Sequence, residues 1–443
     1  MKPYPAYKPT GLAWLPEVPQ GWNMLRGKFL FTKMERPVRP QDEVVTCFRD
    51  GEVTLRKNRR LEGFTESLKE IGYQGVRKGD LVIHVMDAFA GSVGVSDSDG
   101  KSTPVYSVCV PKKSGVNNYY YAHIVRMMAK TGYIQSLYRG IRERSSDFRF
   151  EVFGNQFLPV PPPAEQAAIV AYLDEKTAKI DRLIELKERE IGLLNEKKQA
   201  VISKVVTRGL DPNAVLVDSG VDWIGKVPRG WKKRPLKRVL TSRMSGAWGE
   251  DAVGAQGSIC LRIADFDYLH GTFKSTAPED LTYRRYEPDE FVSLQLVEGD
   301  ILVEKSGGGD KYPVGRAVIF DKNYSAVYAN FMDRLRVDRT QVQPQFFLHW
   351  WRTMYSKSVS WMYIKQTTGI QNLDLADLLA NEVIFYPSIK VQEKILSGID
   401  QLIVPVDKAI NAVTRQVALL KEYRTRLISD AVTGRIDLRK AVA

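Results

Sequence analysis

The sequence predicts an α+β protein built as a direct repeat: two α/β globules, each followed by a long helix, with the two helices packed against each other. Three observations carry that expectation. A narrow apolar seam runs through residues 164–208, a matching seam lies 226 positions further on, and both halves open on the same tryptophan, proline and glycine pattern.

In the first seam, alternate steps of four and three residues from Leu173 give Thr177, Ile180, Ile184, Lys187, Ile191, Leu194, Lys198, Val201 and Val205. Seven of these ten positions are apolar, and most residues between them are Glu, Lys or Arg. A stripe that narrow suits packing against a single helix. The same steps from Ile399 give Ile403, Val406, Ile410, Val413, Val417, Leu420, Arg424, Leu427 and Ala431, nine of them apolar. The one charge, Arg424, falls where the first copy has Lys198. Pro161, Gln166, Asp174, Asp181 and Val206-Thr207 recur at the same offset as Pro387, Gln392, Asp400, Asp407 and Val432-Thr433. These matches lie off the seam, so amphipathicity alone does not produce them. Pro405 interrupts the second copy; since proline suits the first turn of a helix, the expectation is a short helix from Lys390 to Ile403 and a fresh one from Pro405. A similar break is expected in the first copy near Thr177.

Upstream, Gly11, Trp14, Val18, Pro19, Gly21 and Trp22 match Gly220, Trp223, Val227, Pro228, Gly230 and Trp231 at an offset of 209. Each half then carries a Gly-Asp pair before an apolar run, Gly79-Asp80-Leu81-Val82-Ile83 and Gly299-Asp300-Ile301-Leu302-Val303, which reads as a turn feeding a buried strand. Further strands are expected at Val44–Phe48, Val105–Val110 and Ala317–Phe320, and helices at Tyr119–Lys130 and Pro344–Lys357. A Gly-Ile pair follows in each half, Gly140-Ile141 and Gly369-Ile370. The domain boundaries that result are 1–157 and 221–382 for the globules, 158–209 and 383–443 for the helical regions, and 210–220 for a linker.

At 443 residues, 44% hydrophobic and 26% charged, the chain is long enough for two or three globular cores. No run approaches the ~18–20 apolar residues of a membrane span, and the first residues lack the apolar core of a signal peptide. Cys47, Cys109 and Cys260 are odd in number and far apart, which suggests neither a disulfide framework nor a metal cage and fits a reducing cytoplasm. A formal charge of +13 points to a polyanion, with nucleic acid first. No catalytic constellation stands out. The four histidines are scattered, and Gly307-Gly308-Gly309-Asp310-Lys311 lacks the Gly-Lys-Ser/Thr ending that holds phosphate.

The chain does carry cationic and polar loops at comparable places. In the first half these are Arg56, Lys57, Arg59 and Arg60, then Arg139, Arg142, Arg144 and Ser145. In the second they are Arg284, Arg285, Lys305 and Lys311, then Lys365, Gln366, Thr368, Gln371 and Asn372. Arg and Lys neutralise phosphates, and Arg, Gln and Asn can bridge base edges, so loops mixing them suit a DNA groove.

These residues resemble the specificity subunits of type I restriction-modification systems. The resemblance rests on Gly79-Asp80-Leu81-Val82 with Met86 and Gly91-x-x-Gly94-Val95, and on Thr368-Gly369-Ile370-Gln371-Asn372-Leu373. It rests also on Pro161-Pro162-Pro163-x-Glu165-Gln166-x-x-Ile169 and the duplicated Trp-x-x-x-x-Pro-x-Gly-Trp openings. It covers essentially the whole chain, with departures at Ser388 and Val391 in the second copy. The resemblance implies two target-recognition domains that each read half of a split site in double-stranded DNA. It also implies an antiparallel coiled coil as spacer, with Leu173, Ile180, Ile184, Ile191, Leu194 and Val201 facing Ile399, Val406, Ile410, Val413, Val417, Leu420 and Leu427. Two modification subunits would dock on that spacer. It implies no cofactor in this chain: S-adenosylmethionine, ATP and Mg would serve the methyltransferase and the ATP-driven restriction subunits. Two other classes compete, an enzyme that methylates or cuts DNA alone and a coiled-coil scaffold without DNA readout. Steep salt dependence of DNA binding separates the scaffold from a DNA reader.

A helix over residues 174–208 would be about 50 Å long at ~1.5 Å per residue, or about 15 base pairs of duplex. Deleting about one heptad from both helices together should therefore change the gap between two half-sites and leave the half-sites alone. Methylation mapping reads this directly, and altered half-sites with an intact gap would show that the helices do not set the spacing.

Overall fold

Leu81–His84 and Ile301–Glu304, the apolar runs behind the two Gly-Asp pairs, form buried central strands. Gly79 and Gly299 take φ of 91° and 94°, which only glycine adopts without strain. The aspartates close the turns. Asp80 accepts the Arg77 N–H at 2.8 Å and receives the Arg36 guanidinium. Asp300 accepts the Val297 N–H at 2.9 Å and both Arg336 donors at 2.7 and 2.8 Å.

This computed structural model describes the chain except residues 1, 60–70, 138–146, 253–256, 275–276, 310–311, 367–368 and 440–443. It divides into two units: Met1–Glu188 with Arg415–Ala443, and Arg189–Thr414. The first unit holds an antiparallel sheet in the order Phe31–Met34, Tyr106–Pro111, Leu81–His84, Val93–Val95. The second holds the same order in Leu240–Ser245, Met332–Val337, Ile301–Glu304, Ala317–Ile319. Helix α1 (Asn118–Lys130) packs beside Val93–Val95, as α3 (Pro344–Ser356) packs beside Ala317–Ile319. The strands and helices expected from the sequence lie within a residue or two of these bounds.

The seams lie in α2 (Pro163–Arg208) and α4 (Ile389–Val432). The first unit contains the start of α2 and the end of α4, where Asp181 and Glu188 pair with Arg424 and Lys421 at 2.7 and 2.8 Å. The second contains the end of α2 and the start of α4, where Lys198 meets Asp407 at 2.7 Å and Leu210 lies against Gly398. In both units residue numbers rise on one helix as they fall on the other, so the pairing is antiparallel. Leu173, Ile180, Ile184, Ile399, Val406, Ile410, Val413, Val417 and Leu427 are buried, and Ile191, Leu194, Val201 and Leu420 are half-buried.

Both expected helix breaks are absent. The helix α4 passes through Pro405 without interruption. Proline removes one hydrogen bond to the carbonyl four residues back, but Pro405 and Gln401 are both exposed, so water can take that carbonyl. Burial of Ile399 and Val406 on either side holds the helix together. At Thr177 the hydroxyl donates to the Leu173 carbonyl at 2.7 Å and α2 continues.

The repeat extends to buried side chains. Gln166, 1% exposed, accepts the Asn117 N–H at 2.9 Å and donates to the Pro161 carbonyl at 2.8 Å. Its counterpart Gln392, 0% exposed, accepts the Gln343 N–H at 2.8 Å and donates to the Pro387 carbonyl at 2.9 Å. Each amide thus ties the start of a spacer helix to the start of its globule's helix. Thr207 and Thr433 donate to Ser203 and Ser429 carbonyls, both at 2.7 Å. Burial holds His123 down to about 4, aided by Arg126 and Arg424; burial with Arg352 and Lys198 holds His349 to about 3.

Gln392→Leu keeps the volume but takes a partner from the Gln343 N–H, the Pro387 carbonyl and the Gln341 carbonyl. It should cost about 2–4 kcal/mol, as these enclosed polar groups lose their bonds. Gln166→Leu should behave alike in the other unit. Denaturant unfolding measures both, and losses below about 0.5 kcal/mol would mean that these amides do not anchor the helices.

Candidate nucleic-acid interface

In the second unit the buried strand Ile301–Glu304 emerges at Lys305, and the chain turns into Ser306–Gly307. That short strand pairs with Gln371–Leu373, which pairs in turn with Ile364–Gln366. The Ser306 hydroxyl donates to Asn372 at 2.7 Å, and the Lys305 and Ser306 N–H groups reach the Phe331 carbonyl at 2.9 and 3.3 Å. Arg284 lies along the Trp248 ring at 4.5 Å and donates through Nε to the Trp248 carbonyl. The structure thereby joins Asn372, Gln371, Gln366 and Lys365 on one small sheet with Lys305 just before its first strand, and places Arg284 and Arg285 on the strand Tyr283–Arg285.

Most of these cations are already paired. Lys305 reaches Asp333 at 2.9 Å and Ser245 at 2.8 Å, and Arg243 reaches the same carboxylate at 2.6 Å. Burial pushes the Asp333 carboxyl up, but the hydrogen bonds from Lys305, Ser245 and Arg243 together hold it below the usual range. Arg284 pairs with Asp251, Arg285 with Glu250, and Lys365 with Asp374 at 2.7 Å. Gln371 is buried and its amide oxygen accepts the Val314 N–H at 3.2 Å, so it shapes the loop before it. Gln366 and Asn372 are exposed.

In the first unit Arg56, Lys57 and Arg59 occupy one turn after the strand Val53–Leu55. Lys57 pairs with Glu43 at 2.6 Å. Arg59 reaches both Asp50 and Glu52 at 2.7 Å and lies over the Phe48 ring at 4.3 Å. Arg56 is half-buried. Arg60, Arg139, Arg142, Arg144, Ser145, Lys311 and Thr368 lie outside the described residues.

A cleft of about 440 Å³, with no counterpart among the residues expected from the sequence, is lined by Trp248, Arg262, Ile263, Ala264, Ala329, Asn330 and Phe331. It adjoins the small sheet through the Phe331 carbonyl. Trp248 and Phe331 are 39% and 49% exposed, more than a core aromatic would be, and Arg262 Nε is buried without a partner among the described residues. About eighty positions separate Trp248 from Phe331, and sheet pairing brings them together, so local pattern gives no signal for the cleft. The three cysteines are free and buried; burial pushes the thiols of Cys47, Cys109 and Cys260 up. No helix among the described residues is long and apolar enough to cross a membrane.

No family model matches the chain. It is 23% identical over 296 residues to the specificity subunit of the type I restriction enzyme EcoBI of Escherichia coli, covering 63% of this chain and 58% of that protein. To the MjaVIII specificity subunit of Methanocaldococcus jannaschii it is 22% identical over 293 residues, covering 65% and 64%. The chain spans about three fifths of the length of these curated relatives. A solved chain, from work on complex assembly and conformational transition of the type I R-M system, aligns over 95% of this chain and 99% of its own length. Its TM-score is 0.63 at 15% identity, so the fold is shared. The resemblance read from the sequence is borne out by these relatives.

A carboxyl whose folded pKa is depressed contributes stability that is present above its unfolded value of about 4 and lost as pH falls through the folded value. Lys305→Met removes the first of the donors that depress Asp333, so that contribution shrinks. At pH 7 the variant should lose about 1–3 kcal/mol. Lys365→Met, whose side chain is 73% exposed, should leave the melting curve essentially unchanged, because water screens its pair with Asp374. Melting curves at neutral pH distinguish the two, and equal losses would mean that Lys305 is as dispensable to the frame as Lys365.

Proposed function

We propose that this chain is the specificity subunit of a type I restriction-modification complex, a DNA reader without catalysis of its own. Each unit reads one half of a split duplex target, and the paired helices carry two adenine-methylating modification subunits. Methyl transfer from S-adenosylmethionine belongs to those subunits, and ATP-driven, Mg-dependent cleavage to restriction subunits.

The observation that carries this reading is a frame repeated down to buried glutamines and ion pairs, bearing loops that differ between the copies. A stability requirement alone would not keep the frame and vary the loops. Two readers on equivalent frames suit a target in two unlike halves. In the second unit, Asn330 and Arg262 line the Trp248–Phe331 cleft. Asn can bridge adenine N6 and N7, Arg can bridge guanine O6 and N7, and an aromatic face can meet a thymine methyl. These side chains suit base edges better than the cations beside them, which carboxylates already hold.

Co-expression with the modification subunit encoded alongside, followed by mapping of methylated adenines, should give a motif in two short parts with a fixed unspecified gap. Asn330→Ala should relax one position in one part by about 1–3 kcal/mol of discrimination, leaving the other part and the gap unchanged. A continuous motif, or methylation indifferent to this chain, would refute the reading.

A further inference from the structure

Among the described residues of the second unit, cations without a carboxylate partner concentrate away from the small sheet. Residues 226–238 contain seven cations in thirteen positions, and no Asp or Glu occurs between Asp222 and Glu250. Lys226, Arg229, Lys232, Lys233, Arg234, Lys237 and Arg238 are all exposed. Five of them fall within the strand Lys232–Pro235 and the turn Leu236–Val239 that follows it directly, so they are close neighbours along one exposed ribbon of chain. Among the described residues none of the seven has a carboxylate partner; Lys233 donates to the Ser219 carbonyl at 3.2 Å and lies over the Phe385 ring. Of the carboxylates on neighbouring elements, Glu382 is engaged by Trp223 and Tyr363, Asp338 by Thr340 and Gln341, and Asp377 by Asn381, while Asp218, opposite Lys226 in the strand pair, accepts the Gly220 N–H.

The fold does not demand these charges. The strand Lys232–Pro235 pairs with Val383–Tyr386 as Asn23–Arg26 pairs with Phe157–Val160 in the other unit. There the equivalent positions are Glu17, Gln20, Asn23, Met24, Leu25, Lys28 and Phe29, and Leu25, Phe29 and Phe157 are exposed. Guarding a strand edge against pairing takes one or two lysines, not seven. Adjacent like charges repel, so the cluster is unfavourable until an anion meets it.

We propose that this basic ribbon binds the phosphate backbone of duplex DNA without regard to sequence, supplying affinity while the loops supply discrimination. The inference rests on the DNA-reading function proposed above and assigns a separate surface to its non-specific part.

The test uses the full chain purified with its modification subunits, comparing wild type with Lys232→Ser, Arg234→Ser, Lys237→Ser and Arg238→Ser combined. Binding to a duplex of arbitrary sequence and to one carrying the mapped methylation motif is measured across a salt series. Each lost phosphate contact removes about 0.9 from the slope of log K against log salt, so the slope should fall by about 3–4 on both duplexes. The ratio of motif to arbitrary affinity should stay the same. An unchanged slope, or a changed ratio, overturns the inference. Loss of the modification subunits with an unchanged slope overturns it in favour of an acidic protein surface as the ribbon's partner. Failure of the wild type itself to prefer the motif would instead strike the proposed function, and the salt slopes would still decide the role of the ribbon.

Discussion

Lys198 lies in a mostly apolar seam, 9% exposed, and a cation buried there is tolerable only opposite a carboxylate. It finds Asp407 in one unit, and Arg424 finds Asp181 in the other. Because Arg424 is the repeat counterpart of Lys198, and Asp181 that of Asp407, the same pairing is made twice with the roles of the helices exchanged. A seam of Ile, Val and Leu alone would tolerate slippage by a heptad. A slip here would strand charges in both units at once, and a polar residue at a seam position is a well-attested way to fix register. Such a pair adds specificity more than stability.

With the register fixed, the globules are fixed to their helices. Gln166 and Gln392 lock the first turns of the spacer helices to the N-termini of α1 and α3, and a buried amide bonded on both sides tolerates little displacement. The Gly-Asp turns then aim the central strands, and the strand Ile301–Glu304 delivers Lys305 and Ser306 to the small sheet formed with Gln371–Leu373. The chain of constraint runs from seam to glutamine to strand to loop, so loop sequences can change without disturbing what supports them.

Much of this was legible in the sequence, because duplication writes the frame twice. The seams, the Gly-Asp strands and the flanking helices all follow from periodicity or from matched residues at a constant offset. Pro405 was misleading for a definable reason: intrinsic propensity weighs one lost hydrogen bond, whereas the protein weighs that loss against burial of Ile399 and Val406. The reading loops were legible as cationic but not as neutralised. Asp333 lies 28 positions beyond Lys305, and Glu43 lies 14 before Lys57, so only the folded sheet shows that these two cations have carboxylates. The Trp248–Phe331 cleft was invisible for the same reason.

Neutralised loops are consistent with reading rather than mere adhesion. A guanidinium held by a carboxylate and an aromatic face, as Arg59 is by Asp50, Glu52 and Phe48, is ordered before any partner arrives, which reduces the entropy lost on binding. Exposed pairs are screened by water and contribute little, so Lys57, Arg285 and Lys365 can exchange a carboxylate for a phosphate at little cost. Lys305 and Arg284 are too enclosed for that exchange and act through the surfaces they hold in place. A loop whose charges are balanced gains little from phosphates in general, and its preference must come from shape and directional hydrogen bonds. The two requirements on a DNA reader, attraction to any duplex and preference for one sequence, therefore draw on different physical terms and can occupy different residues.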